Sequence, residues 1–133
     1  MRTVRRLALF VLSAAALVML PVIPATAGNF QQGFGSGSYH ASYDFIPGAA
    51  NVRLGGWGCS GGTARYWYTQ LVKTSGSVSQ GSSYSYPANG VLYQDSRAHY
   101  TAGGTSYYGR WYGQDSNLNN GYSAPCSGIN YNW

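Results

Sequence analysis

Residues 64–73 read Ala64-Arg65-Tyr66-Trp67-Tyr68-Thr69-Gln70-Leu71-Val72-Lys73, and the turn-forming Thr74-Ser75-Gly76 follows at once. Aromatic and β-branched side chains in this density suit a pleated, half-buried surface, and the run is long enough for a central strand. A helix would need apolar residues recurring at i, i+3 and i+4. No stretch of residues 28–133 keeps that spacing, because glycine interrupts every candidate.

On the N-terminal side, Tyr39, Ala41, Tyr43 and Phe45 alternate with Ser38, His40, Ser42 and Asp44. Period two predicts a strand with the first set inward and the polar set, His40 and Asp44 included, facing solvent. Pro47-Gly48 ends it. Residues 51–57 form another run, followed by the tight Gly58-Cys59-Ser60-Gly61-Gly62 connection. On the C-terminal side, Val78, Tyr84 and Tyr86 share one parity and Ser79, Ser83 and Ser85 the other. Pro87-Ala88-Asn89-Gly90 is strong turn chemistry, in which Asn-Gly favours the positive φ of a hairpin. Residues 91–101 and 105–112 read as a further hairpin around Ala102-Gly103-Gly104, and residues 113–120 as a polar loop. About seven short strands divided by Gly, Pro and Asn turns predict an all-β fold, a small antiparallel β-sandwich or barrel.

The composition agrees. Of 133 residues only 8% are charged, while 16% are aromatic and 19 are glycine, which excludes a coiled coil, a charged helix bundle and a solvating disordered tail. Arg2, Arg5 and Arg6 precede an apolar stretch, residues 7–20, and Pro21 and Pro24 lead into Ala25-Thr26-Ala27. This pattern predicts a secretory signal peptide over residues 1–27, cut between Ala27 and Gly28, and a single secreted, extracellular domain over residues 28–133. The apolar run is too short and too proline-broken for a membrane span, so no transmembrane segment is expected in the mature chain. The formal net charge of +5 falls with the leader to near +2, from Arg53, Arg65, Lys73, Arg97 and Arg110 against Asp44, Asp95 and Asp115. These cations are scattered singly, unlike the clusters of a nucleic-acid-binding face, so nucleic acid is not an expected partner. Cys59 and Cys126 are the two cysteines. In an oxidising compartment they predict one disulfide, contributing roughly 4 kcal/mol through the long loop it closes.

Candidates for chemistry are few. Glutamate is absent, and two histidines without a Cys/His cluster show no zinc spacing, so neither a metal nor a cofactor is expected. Asp95, Arg97 and His99 share one parity and could line one strand face, the best catalytic constellation for a small secreted hydrolase. The competing reading, a polar solvent-facing surface, is favoured because no nucleophile motif accompanies them. The aromatic surplus is the stronger signal. Trp67, Tyr68, Gln70, Trp111, Tyr112 and Gln114 combine rings that can stack on sugars with neutral amides that can hydrogen-bond hydroxyls, and Asn117, Asn119 and Asn120 lie close in sequence. Against this, Trp67 and Trp111 could simply be the core. An echo joins them: Gly61-Gly62-Thr63 with Trp67-Tyr68-Thr69-Gln70 recurs as Gly103-Gly104-Thr105 with Trp111-Tyr112-Gly113-Gln114. The two parts need different offsets, so chance is the simpler explanation, and two related edges each presenting Trp-Tyr-x-Gln the functional one.

The segment Phe30-Gln31-Gln32-Gly33-Phe34-Gly35, followed by Ser38 and Tyr43, and the ending Asn130-Tyr131-Asn132-Trp133 resemble lactococcin-type secreted bacteriocins. The resemblance covers a small part of the chain and implies an exported β-sandwich acting on the cell envelope of competing bacteria without an enzymatic site. The cysteine pair departs from that family's pattern. The expectation is a secreted, non-enzymatic protein that binds an extracellular or cell-envelope glycan through exposed aromatics, with antibacterial action as one use. The alternatives are the hydrolase and an inhibitor or coat protein acting by protein contacts.

Overall fold

The computed structural model describes residues 28–133; the expected signal peptide lies outside them. The described residues form nine strands: β1 (Asn29–Phe34), β2 (Tyr39–Ala41), β3 (Asn51–Gly58), β4 (Tyr66–Lys73), β5 (Val78–Pro87), β6 (Tyr93–Gln94), β7 (His99–Tyr100), β8 (Tyr107–Gln114) and β9 (Ser127–Asn132). A short 3-10 turn, Ser75–Ser77, joins β4 to β5. One sheet runs β1-β9-β3-β6, with β7 also on β3, and the other runs β2-β8-β4-β5; all pairs are antiparallel. Packed face to face, they make the expected all-β sandwich.

The stretch 64–73 is a central strand, as expected, and its alternation decides what each face is. Trp67, Thr69 and Leu71 are fully buried, while Tyr66, Tyr68 and Gln70 point away from the core. Its neighbour β8 does the same with Tyr107 and Trp111 inside and Arg110 and Tyr112 outside. The opposing sheet adds Val52, Leu54, Ile129 and Tyr131, each 0% exposed. Large rings fit because glycines face them. A Cβ on Gly58 would fall 2.3 Å from the Trp67 ring, and one on Gly109 1.3 Å from the Tyr131 hydroxyl, each across the sheet interface. The abundance of both residue types thus has one cause, rings of one sheet seated on bare backbone of the other. Two polar ends among the buried rings are paired: Trp111 Nε1 donates to the Tyr86 hydroxyl, and Tyr131 shares a 3.3 Å hydrogen bond with Thr69.

The Cys59–Cys126 disulfide forms as predicted, with the Cα atoms 5.1 Å apart. Cys59 follows β3 and Cys126 precedes β9, which are paired neighbours, and Cys59 N–H donates to Cys126 C=O at 2.9 Å, extending their ladder.

Three local expectations are corrected. The phase of residues 39–43 is reversed: β2 lies opposite β8 with His40 facing Trp111, so His40 turns inward and Tyr39 and Tyr43 outward, 50% and 75% exposed, whereas Phe45 packs against the core and Asp44 is exposed, as expected. Period two marks a strand but not which parity meets the core, and an amphipathic tyrosine serves either side. Pro87-Ala88-Asn89-Gly90 is a turn, with φ of +83° at Gly90 and Asn89 accepting from the Val91 N–H. It carries the chain from one sheet to the other, however, because β5 pairs β4 whereas β6 pairs β3. Residues 91–112 likewise change sheets between β7 and β8 instead of forming a hairpin. Strands β1 and β9 had no counterpart in the sequence reading.

Candidate ligand-binding face

The outer face of the four-stranded sheet gathers most of the residues singled out as a binding set. In the β4–β8 ladder Tyr68 lies opposite Tyr112, Gln70 opposite Arg110 and Tyr66 opposite Gln114. The two Trp-Tyr-x-Gln echoes are therefore antiparallel neighbours in the sheet centre, not separate edges. They place a glutamine on each side of one tyrosine pair, a local pseudo-twofold arrangement. Tyr39 of β2 extends the row, its ring 4.9 Å from Tyr112, and Tyr112 stacks on Tyr68 at 5.0 Å and 13°.

Trp67 and Trp111 are corrected out of this site. Each adjoins its tyrosine in the chain, so on a strand the two must face opposite ways, and both tryptophans are 0% exposed. They form the core beneath the face, 5.4 Å apart.

Stacking with Tyr112 leaves the other face of the Tyr68 ring turned toward β5. There the opposite residue is Ser85, too small to cover it. The result is an open cleft of about 550 Å³ bounded by Tyr68, Gln70, Ser83, Ser85, Gln114 and the loop residues Leu118, Asn119 and Asn120. Gln114 is oriented by its donation to Asn120 at 2.9 Å. The rim loop is knotted around Asp115, whose carboxylate accepts from the Asn117 and Asn119 N–H groups and the Asn119 amide. These bonds, those from Asn119 first, hold its pKa below the ordinary carboxylate value. The knot keeps Leu118 in the left-handed region, φ +64°, with its side chain 56% exposed at the cleft. A leucine there costs about 1 kcal/mol or more, which the bonds of the surrounding loop must outweigh. Burial first, then the neighbouring Tyr112, raises the Tyr68 phenol above its ordinary pKa.

Asp95, Arg97 and His99 do come together, but not as a strand face open to solvent. Asp95 and His99 are buried, and Arg97 grips both Asp95 oxygens at 2.8–3.0 Å. Burial opposes ionisation of Asp95, but the hydrogen bonds and charge of Arg97, helped by His99, outweigh it and hold the carboxyl below its usual range. Arg97 also donates to Ser83 C=O at 3.2 Å, and a Cβ on Gly81 would sit 2.5 Å from His99 Nδ1. Both contacts fall on the irregular part of β5, where the register with β4 shifts between Thr69 and Leu71. The trio thus clamps, from behind, the bulge that carries Ser83 to the cleft.

His40 lies in an aromatic box, its ring stacked 4.7 Å from Phe34 and 6.0 Å from Trp67 and edge-on to Trp111 at 6.0 Å. Its Nε2 is buried with no hydrogen-bonding partner among the described residues, and burial lowers its pKa from 6.5. The unfolded chain therefore binds the extra proton first, so stability is full above pH 6.5 and declines as pH falls from there through the depressed folded pKa. The urea midpoint is expected to fall between pH 7 and pH 5, and less so in His40→Phe; equal slopes in both proteins would contradict the assignment.

Tyr39, Arg110, Ser83, Ser85 and Leu118 were not singled out from the sequence. For Arg110 a signal existed, since it shares the parity of Tyr112 and Gln114. No protein-family model, curated protein or solved structure matches the chain.

Proposed function

We propose that the chain is an exported, non-catalytic glycan-binding protein whose site is the cleft beside Tyr68. The observation that carries this reading is a tyrosine ring with one free face, set among neutral hydroxyls and amides within a single open cleft. A sugar offers a CH-rich face to such a ring and hydroxyls to serine, asparagine and glutamine, without the desolvation cost of charges. The cysteine pair, joined in a disulfide, suits an oxidising compartment and supports export. The resemblance to lactococcin-type bacteriocins belongs with this reading, as binding to a bacterial envelope glycan that serves antibacterial action.

Retention on a panel of insoluble polysaccharides, peptidoglycan included, tests it. Tyr68→Ala is expected to weaken the strongest retention by about tenfold or more, since truncating an aromatic anchor of a binding site costs more than about 1 kcal/mol. Tyr100→Ala, which removes an 81% exposed tyrosine from the other sheet, is expected to leave it unchanged. A folded Tyr68→Ala protein with undiminished retention contradicts the proposal.

A further inference from the structure

The pseudo-twofold arrangement of the outer face is broken at one point. Opposite Gln114 stands Tyr66, but opposite Gln70 stands Arg110. From β8 the Arg110 side chain reaches across β4: Nε donates to Gln70 Oε1 at 2.9 Å and Nη2 to Ser79 Oγ on β5 at 3.1 Å. Its Cζ lies 5.9 Å from the centre of the Tyr112 ring. The guanidinium is thereby fixed against Gln70, just beyond the residues that line the cleft, entirely by neutral groups.

No carboxylate compensates it. Asp95 is held by Arg97, Asp115 is engaged by its own loop, and Asp44 accepts from the Thr74 hydroxyl. Among the described residues Arg110 forms no ion pair, and its Nη1 has no hydrogen-bonding partner. A planar, pre-oriented guanidinium with free N–H groups matches an anionic oxygen pair. Holding it with neutral partners keeps that capacity unspent.

Building on the glycan-binding reading, we propose that the cleft selects an acidic glycan: a sugar ring on Tyr68, with its anionic substituent, carboxylate or sulfate ester, at Arg110. The Gln114 end, lined by Asn119 and Asn120, takes the neutral neighbouring sugar, so the chain binds in one direction.

Two polymer pairs differing in charge on one backbone test this: polygalacturonate with its methyl ester, and dextran sulfate with dextran. Binding is measured at about 0.15 M salt, where longer-range attraction is screened. The wild type is expected to bind at least one charged member about tenfold more tightly than its neutral partner. Arg110→Gln is expected to erase that ratio, while Arg53→Gln, on the opposite sheet, preserves it. Preference for the polygalacturonate pair assigns a carboxylate, and for the dextran pair a sulfate. The proposal is overturned by equal binding of charged and neutral members, by a ratio that survives Arg110→Gln, or by no binding to either charged polymer. Retention of neutral polysaccharides that depends on Tyr68 but not on Arg110 sinks the acidic selectivity alone. Retention independent of Tyr68 sinks the glycan-binding reading itself.

Discussion

Trp111→Ala is expected to lower the free energy of unfolding by about 4 kcal/mol, with a fall in Tm of about 20 °C. The side chain is fully buried, meets Phe34 edge-on at 5.1 Å and Trp67 at 5.4 Å, and gives the Tyr86 hydroxyl its hydrogen-bond donor. Removing it opens a cavity in a core whose opposing backbone is glycine-rich and has no side chains with which to fill it. Trp67→Ala belongs to the same class of loss. The two tryptophans separate on replacement by phenylalanine. Trp111→Phe leaves the buried Tyr86 hydroxyl without that donor, whereas Trp67 Nε1 is itself buried with no partner among the described residues. Trp111→Phe is therefore expected to cost about 1 kcal/mol more than Trp67→Phe. Urea unfolding followed by near-UV circular dichroism gives both values, and the reverse order contradicts the core described here.

Removing the disulfide is the other large effect. Cys59 and Cys126 are 67 residues apart in sequence, and their bridge spans β4 through β8 in the chain, thus the whole four-stranded sheet except β2. Cross-linking across that length limits the unfolded chain and stabilises the fold by roughly 4 kcal/mol in the chain-entropy model. The Cys59→Ser/Cys126→Ser double variant is expected to lose about this much in urea melts. It should keep its ligand affinity wherever it remains folded, because neither cysteine lines the cleft. A loss below about 1 kcal/mol would show that the unfolded chain is already restricted without the bridge.

The parts of the fold legible in the sequence were those written in side chains. Strand β4 announces itself by aromatic and β-branched density, and the cysteine count leaves one intramolecular pairing. Strand β9 does not: Ser127-Gly128-Ile129-Asn130-Tyr131-Asn132 has two large apolar residues, yet it is almost entirely buried because it lies between β1 and β3. Gly128 is covered there by the ring of Trp57, a cross-strand contact that no local pattern predicts. The site divides in the same way. Tyr68, Gln70, Tyr112 and Gln114 share a parity within their strands and do share a face. Trp67 and Trp111 fall on the other face, because adjacent residues on a strand face opposite sides. The place of Ser83 and Ser85 depends on the β4–β5 register; the parity of Arg110 puts it on this face, but its reach across β4 to Ser79 is a matter of tertiary packing.

The chemical role of Asp95, Arg97 and His99 shifts for a related reason. Their common parity suggests a solvent-facing row, but residues 95–98 lie between two short strands; Asp95 and His99 turn inward, and the exposed Arg97 holds both Asp95 and the β5 bulge. Shaping a cleft from behind is a positioning task, consistent with the saturation of the Asp95 oxygens by Arg97.

The central claim is that ligand sits on the free face of Tyr68. The most direct measurement is an NMR titration of the isotope-labelled protein with an oligosaccharide cut from the polysaccharide that retains it best. The expected result is shifts concentrated on the Tyr68 ring and on the amides of Gln70, Ser83, Ser85 and Gln114, with intermolecular contacts from sugar CH protons to the Tyr68 ring. Shifts centred on Asp95–His99, or on the outer face of the β1-β9-β3-β6 sheet, would contradict it.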